Sequence, residues 1–145
     1  MKLTKATDYA LILLKHLNQL EKGKTTSVKK VAEACHIPKR FLANIVHRLS
    51  KAGILVTVKG MDGGIRLSKS GDKITIKDVL EVLEGGIRFV ECQTQSGICN
   101  TEDVCTIKHF WDAKLANFVS TLNNTTIKDL SDFVPQKMGA ANSNT

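Results

Sequence analysis

The sequence predicts a mainly α-helical fold with one small β-hairpin: a winged helix-turn-helix joined to a long dimerisation helix. Three observations predict it. Apolar residues recur at helical spacing through most of the chain. A glycine-rich hairpin follows directly on a basic helix. The charge is also split. Residues 1–73 hold 15 Lys and Arg against 5 Asp and Glu, net +10, whereas 74–145 hold 6 against 9, net −3. The 145-residue chain carries +7 overall, and so basic a half suits an acidic partner, nucleic acid being the commonest.

Ala6, Ala10, Leu13, Leu14 and Leu17 set a first helix over Thr4–Leu20, with Thr4 as N-cap and Lys22-Gly23-Lys24 as its end. Ser27 caps a short second helix with Val28, Val31 and Ala32 on one face. Pro38 opens a third. That helix has Phe41, Leu42, Ile45, Val46 and Leu49 inside, and Lys39, Arg40, Asn44, His47, Arg48 and Lys51 outside. Gly53 stops it, Ile54–Val58 reads as a strand, and Gly60, Gly63 and Gly64 turn the chain into the partner strand Ile65–Leu67. Ile76–Leu83 is a helix with Val79, Leu80 and Leu83 inside, broken by Gly85-Gly86. Cys92–Cys105 lacks periodicity and reads as a loop. Thr106–Leu122 is a long amphipathic helix carrying Ile107, Phe110, Trp111, Leu115 and Phe118, and Thr126–Phe133 adds a turn or two. Residues 134–145, polar and small, read as a disordered tail.

Val28 to His47 fits the helix-turn-helix frame. Ala32 is the small residue needed where the helices cross, and His36 stands where the turn needs a left-handed backbone. Ile37 plugs the turn, and Leu42 and Ile45 anchor the second helix on the first. Lys39, Arg40 and Asn44 then offer donors suited to major-groove edges and phosphates. Lys59 and Arg66 flank the wing and reach toward backbone or minor groove. The candidate DNA-contacting set is Ser27, Lys29, Lys39, Arg40, Asn44, His47, Arg48, Lys59 and Arg66.

Cys92, Cys99 and Cys105 are spaced C-x6-C-x5-C. Both gaps exceed the pairing usual at zinc sites. They suit a loop folded round a bulkier iron–sulfur cluster, which normally takes four ligands. A zinc site completed by His109, or three incidental thiols, are the competing readings. Cys35 lies inside the helix-turn-helix, where a small buried hydrophobe is the expected role. Catalysis has little support: no nucleophile–base pair stands out, and a strand rather than a helix follows Gly60–Gly64, so it is no phosphate cradle. The apolar run Tyr9–Leu14 is too short to span a bilayer. Lys15 and His16 follow it without a cleavage site, so the expected compartment is the cytoplasm.

Leu3-Thr4 with Thr7-Asp8-Tyr9-Ala10 stands at the start, then Phe41-Leu42 and Leu49-Ser50-Lys51-Ala52-Gly53, then the wing Val58–Leu67. Ile76-Lys77-Asp78-Val79, Leu83-Glu84-Gly85 and the three cysteines follow. In this order, from Met1 to about Phe133, they resemble the NsrR–IscR family (Rrf-two type) of winged-helix transcription regulators. The resemblance implies no enzyme but a homodimeric repressor, each protomer reading half of a palindromic double-stranded DNA site. It implies an iron–sulfur cluster held by Cys92, Cys99 and Cys105. Thr7-Asp8-Tyr9 is most similar to nitric-oxide-sensing NsrR members, which implies that Asp8 supplies the fourth ligand across the dimer. A 4Fe-4S cluster is placed ahead of 2Fe-2S, although such a donor set holds either. The implied units are 1–84, the winged helix-turn-helix whose first helix also touches the partner; 85–105, the cluster-binding loop; and 106–133, the dimerisation and C-terminal helices.

Two departures open alternatives. The first cysteine gap is a residue longer than in typical NsrR proteins and leans toward the iron-responsive RirA relatives. Where IscR proteins place a histidine stands Lys108, with His109 one residue on, about 100° round a helix. The alternatives are a same-fold regulator sensing iron or cluster status, and a cluster-free or zinc-containing one.

Overall fold

In the computed structural model, which describes residues 1–135, the helices and hairpin form where local signals put them. They are α1 (Lys5–Asn18), α2 (Val28–Cys35), α3 (Lys39–Lys51), β1 (Leu55–Val58), β2 (Gly64–Leu67), α4 (Ile76–Glu84), α5 (Thr106–Asn123) and α6 (Ile127–Asp132). Most of the expected tail lies outside the described residues.

The helix-turn-helix rests on two local devices. Ser27 accepts the Lys30 N–H and so caps α2. His36 then reverses the chain at φ 54°, ψ 40°, in the left-handed region as expected. The wing is an antiparallel pair with Leu55 opposite Leu67 and Val58 opposite Gly64. It gains a third edge that sequence reading missed. Thr26 and Ile65 exchange backbone hydrogen bonds of 3.1 and 2.8 Å, and the Thr25 hydroxyl donates to the Asp62 carbonyl (2.8 Å). These bonds fix the wing against the start of α2.

One core joins these elements. Ala10, Leu13, Leu14 and Leu17 of α1 pack with Val31, Leu42, Ile45, Leu49, Val79 and Leu80, all buried. Each buried Leu, Ile or Val contributes roughly 1.5–3 kcal/mol before entropy is counted.

Several expectations need correction. Thr4 sits at the N-cap of α1 without capping it; its hydroxyl is turned to Glu84 instead (2.9 Å). Helix α1 ends at Asn18, before Lys22. Phe41 is 61% exposed rather than inside, with its ring 6.5 Å from that of Tyr9. The C-terminal helix expected after the long one forms as a separate element. The chain reverses at Asn124 and α6 returns to α1, where Ile127 is wholly buried and Asn18 donates to the Ser131 hydroxyl (3.0 Å). Thr75 and Thr126 cap α4 and α6 through reciprocal bonds with Asp78 and Asp129, boxes that the sequence reading overlooked.

Candidate nucleic-acid interface and metal centre

The start of α3 presents Lys39, Arg40 and Asn44 outward, all exposed, with His47 on the same helix. Lys29 is exposed on α2, and Lys59 is exposed at the end of the wing's first strand. Between the wing and the start of α2 lies an open groove of about 680 Å³, lined by Lys24, Ser27, Lys30, Met61, Asp62 and Arg66. Lys24 and Lys30 were missed by sequence reading; their places either side of the Ser27 cap were the available signal. A helix N-terminus with flanking lysines attracts phosphate.

Arg48 does not join this surface. Its guanidinium is half-buried and donates to the carbonyls of Val82 (2.7 Å) and Leu83 (3.1 Å) at the end of α4. There a cation satisfies acceptors that the helix cannot. Arg48, expected among the DNA contacts, is thus engaged as a strut between α3 and α4.

The three cysteines come together. Cys92, Cys99 and Cys105 line one small cavity of about 120 Å³, walled also by Val90, Ile107 and Trp111 and by Glu102 and Lys108. Each is held differently. Cys105 is the N-cap of α5 and its sulfur accepts the Lys108 N–H (3.5 Å). The Thr101 hydroxyl lies 3.3 Å from the Cys99 sulfur. That hydroxyl, followed by the Thr101 backbone N–H, draws the Cys99 thiol below its ordinary pKa, against burial and the Glu102 charge. Cys92 sits in a turn fastened by Gln93. The Gln93 Oε1 accepts the N–H groups of Phe89 (2.8 Å) and Val90 (3.2 Å), and its Nε2 donates to Asp112 on α5 (3.1 Å). Asp112 is itself paired with Lys108 (2.8 Å). The loop between Cys92 and Cys99 is tied by the Gly97 N–H donating to Glu102 Oε2 (2.6 Å).

Among the described residues no three Cys, His, Asp or Glu side chains converge on one metal-ion position. A single zinc ion needs sulfurs within ~2.3 Å of one point. A cluster spreads its iron corners, and three thiols lining one cavity are donors of the chemical kind it takes. His109 is exposed, with Nε2 3.3 Å from the Asp103 carbonyl, and does not line the cavity. Asp8 is exposed in the first turn of α1, and its carboxylate has no hydrogen-bond or ion-pair partner among the described residues. Cys35 is half-buried against the core, and burial raises its thiol pKa.

A family described as Rrf2, iron-dependent transcriptional regulator, matches residues 3–132. The chain belongs to the Rrf2 family. It is 37% identical over 131 residues to the HTH-type transcriptional regulator NsrR of Shouchella clausii, covering 90% of this chain and 88% of that one. It is 34% identical to NsrR of Bacillus subtilis, covering 90% of each. The solved structure of CymR, the global cysteine regulator of B. subtilis, superposes with a TM-score of 0.72 at 27% identity, over 93% of this chain and 99% of that one. This Rrf2-family protein is therefore an NsrR-like transcriptional regulator, not an enzyme. Among the described residues no helix is long and apolar enough to cross a membrane.

One further group escaped sequence reading. Glu84, the last residue of α4, accepts hydrogen bonds at a single oxygen from the Thr4 N–H (2.9 Å), the Thr4 hydroxyl (2.9 Å) and the buried Thr7 hydroxyl. Burial alone raises its carboxyl pKa; the bonds from Thr7 and Thr4 and the nearby Arg48 outweigh that and hold it below the ordinary value.

Proposed function

We propose that this chain is a dimeric DNA-binding repressor that senses nitric oxide through an iron–sulfur cluster, 4Fe-4S in type, held by Cys92, Cys99, Cys105 and Asp8 of the partner subunit. The observation that carries the proposal is the meeting of the three cysteines at one small cavity at the N-terminus of α5. Similarity to NsrR regulators supports the signal.

Dimerisation is supported by α5, which buries none of its residues although Ile107 is 64% and Phe110 50% exposed. An apolar stripe of that kind on an 18-residue helix suits a second copy of itself. The unpartnered carboxylate of Asp8 is free to reach across such an interface.

When bound, the cluster supplies iron open to attack by nitric oxide. The chain's own residues do the rest. Cys92 and Cys105 fix the loop to α5, and Asp8 ties α1 of one protomer to the loop of the other. That tie sets the separation of the two α3 helices, so that Lys39, Arg40 and Asn44 of both protomers enter successive major grooves of a palindromic operator. Release of Asp8 loosens the separation, and DNA is let go.

Anaerobic reconstitution of wild type and Asp8→Ala with iron and sulfide, read by Mössbauer spectroscopy, tests the ligand set. A distinct iron site lost in Asp8→Ala is expected; identical spectra refute Asp8. Nitric oxide titration with a gel shift tests the signal, and unchanged DNA affinity at saturation refutes it. The family's iron-dependent description favours a second reading, iron sensing, in which chelation alone releases DNA.

A further inference from the structure

The end of α4 is where three parts of the molecule meet. Glu84 fastens the first turn of α1 through Thr4 and the wholly buried Thr7, the residue before Asp8. Two carbonyls of the same last turn, those of Val82 and Leu83, receive Arg48 from α3. Gly85 follows at φ 72° and Gly86 at φ 126°, and the chain passes directly into the cysteine loop. A second tie closes the figure: Tyr9, the residue after Asp8, lies against Phe41 near the start of α3. So α1's first turn is braced to both ends of the DNA-reading helix, once through α4 and once ring to ring.

The geometry points to Glu84 as the positioning residue through which the first turn of α1 sets the recognition helix. All three hydrogen-bond donors to Glu84 belong to α1's start, and its remaining partner is the nearby Arg48 charge from α3. A pull on Asp8 acts on a turn whose only polar anchor to α4 among the described residues is this oxygen. If that anchor holds, the displacement reaches the Arg48 strut and Phe41 together and turns α3 as a body. If it is cut, α1's first turn yields alone. The biological meaning rests on Asp8 and the cysteines forming one site; the mechanical joint does not.

The test uses the full-length chain in two arms. In metal-free protein, amide hydrogen exchange is compared for wild type, Glu84→Ala, Glu84→Gln and Thr7→Val. Exchange reports local opening directly. Glu84→Ala and Thr7→Val are expected to speed exchange about tenfold at Thr4–Tyr9 and also at Arg40–Asn44, with α6 unchanged. Glu84→Gln, which keeps an acceptor oxygen, recovers most of the protection. Acceleration confined to α1, or spread evenly over the chain, overturns the inference. Thr7→Val keeps the test decisive should Glu84→Ala fold poorly.

In the second arm, duplex affinity is measured for protein loaded anaerobically with iron and sulfide and for metal-free protein. The ratio of the two affinities is expected to narrow at least fivefold in Glu84→Ala at equal iron and sulfide content. An unaltered ratio overturns the inference. A wild-type ratio of one instead refutes the proposed sensing, and the exchange arm then decides the joint alone.

Discussion

Replacing Arg48 by Met separates a strut from a phosphate contact. The substitution keeps the aliphatic stem and removes the donors to the Val82 and Leu83 carbonyls. Charge-assisted hydrogen bonds contribute roughly 1.5–3 kcal/mol each when buried. Arg48 is only half-buried, so water competes, and about 2 kcal/mol for the pair is the reasonable figure. For a chain of this size each kcal/mol moves Tm by roughly 3 °C, so a fall of about 6 °C is expected at fixed protomer concentration. The DNA side is read separately. Each phosphate contact adds about 0.9 to the slope of log K against log salt, or about 1.8 for a dimer. Arg48→Met should leave that slope alone, whereas Lys39→Ala should lower it by about 1.8. An unchanged Tm with a slope reduced by Arg48→Met would refute the strut and return Arg48 to the DNA face.

Three other perturbations test different parts. Gly64 has φ 151°, and a Cβ there would lie 2.4 Å from the Thr26 carbonyl oxygen, whereas one at Gly60 meets nothing within 4 Å. Gly64→Ala should therefore cost about 3–4 kcal/mol in urea unfolding, from backbone strain plus the Thr26–Ile65 bonds, and clearly more than Gly60→Ala; equal losses would contradict the bridge. Phe110→Glu places a charge on the uncovered face of α5. Light scattering should then report a monomer with α-helical content intact, and a persisting dimer would rule out that face as the interface. Glu84 has a depressed folded-state pKa, so its stabilisation is present above the ordinary glutamate value of about 4.3 and is lost as pH falls through the folded value. The Tm gap between wild type and Glu84→Gln should close as pH drops below about 4.3, and a gap independent of pH would speak against a charged Glu84.

What was readable in advance was what the chain settles locally. The Ser27 cap, the left-handed His36 and the buried faces of α2 and α4 each depend on neighbours within a few residues. The cysteines were readable because thiol spacing in a loop already limits what they can surround. Arg48, Glu84 and Phe41 were not. The periodicity that put Arg48 outside α3 is correct about direction, but it says nothing of another helix end waiting there. Glu84 shares its bonds with residues 77 and 80 positions away, and no local pattern marks that separation. Helix α6 was legible only as a further turn or two, because a short polar segment carries too weak a pattern to show that Ile127 closes the core.

The distribution of burial also bears on how sensing and reading are divided. Every helix from α1 to α4 contributes several buried residues, and α6 contributes Ile127, whereas α5 contributes none. The core of the DNA-reading unit is therefore complete without α5, which touches it through half-buried Leu122 and the aromatic contacts of Phe89 with Trp111 and Phe118. Helix α5 also packs along α4, the helix that ends at Glu84. The cysteine cavity lies at the far end of α5 from Leu122, where a small change in the loop has the longest lever. Glu84 stands at the end of α4 between the cysteine loop and α1, beside the carbonyls that receive Arg48 from α3.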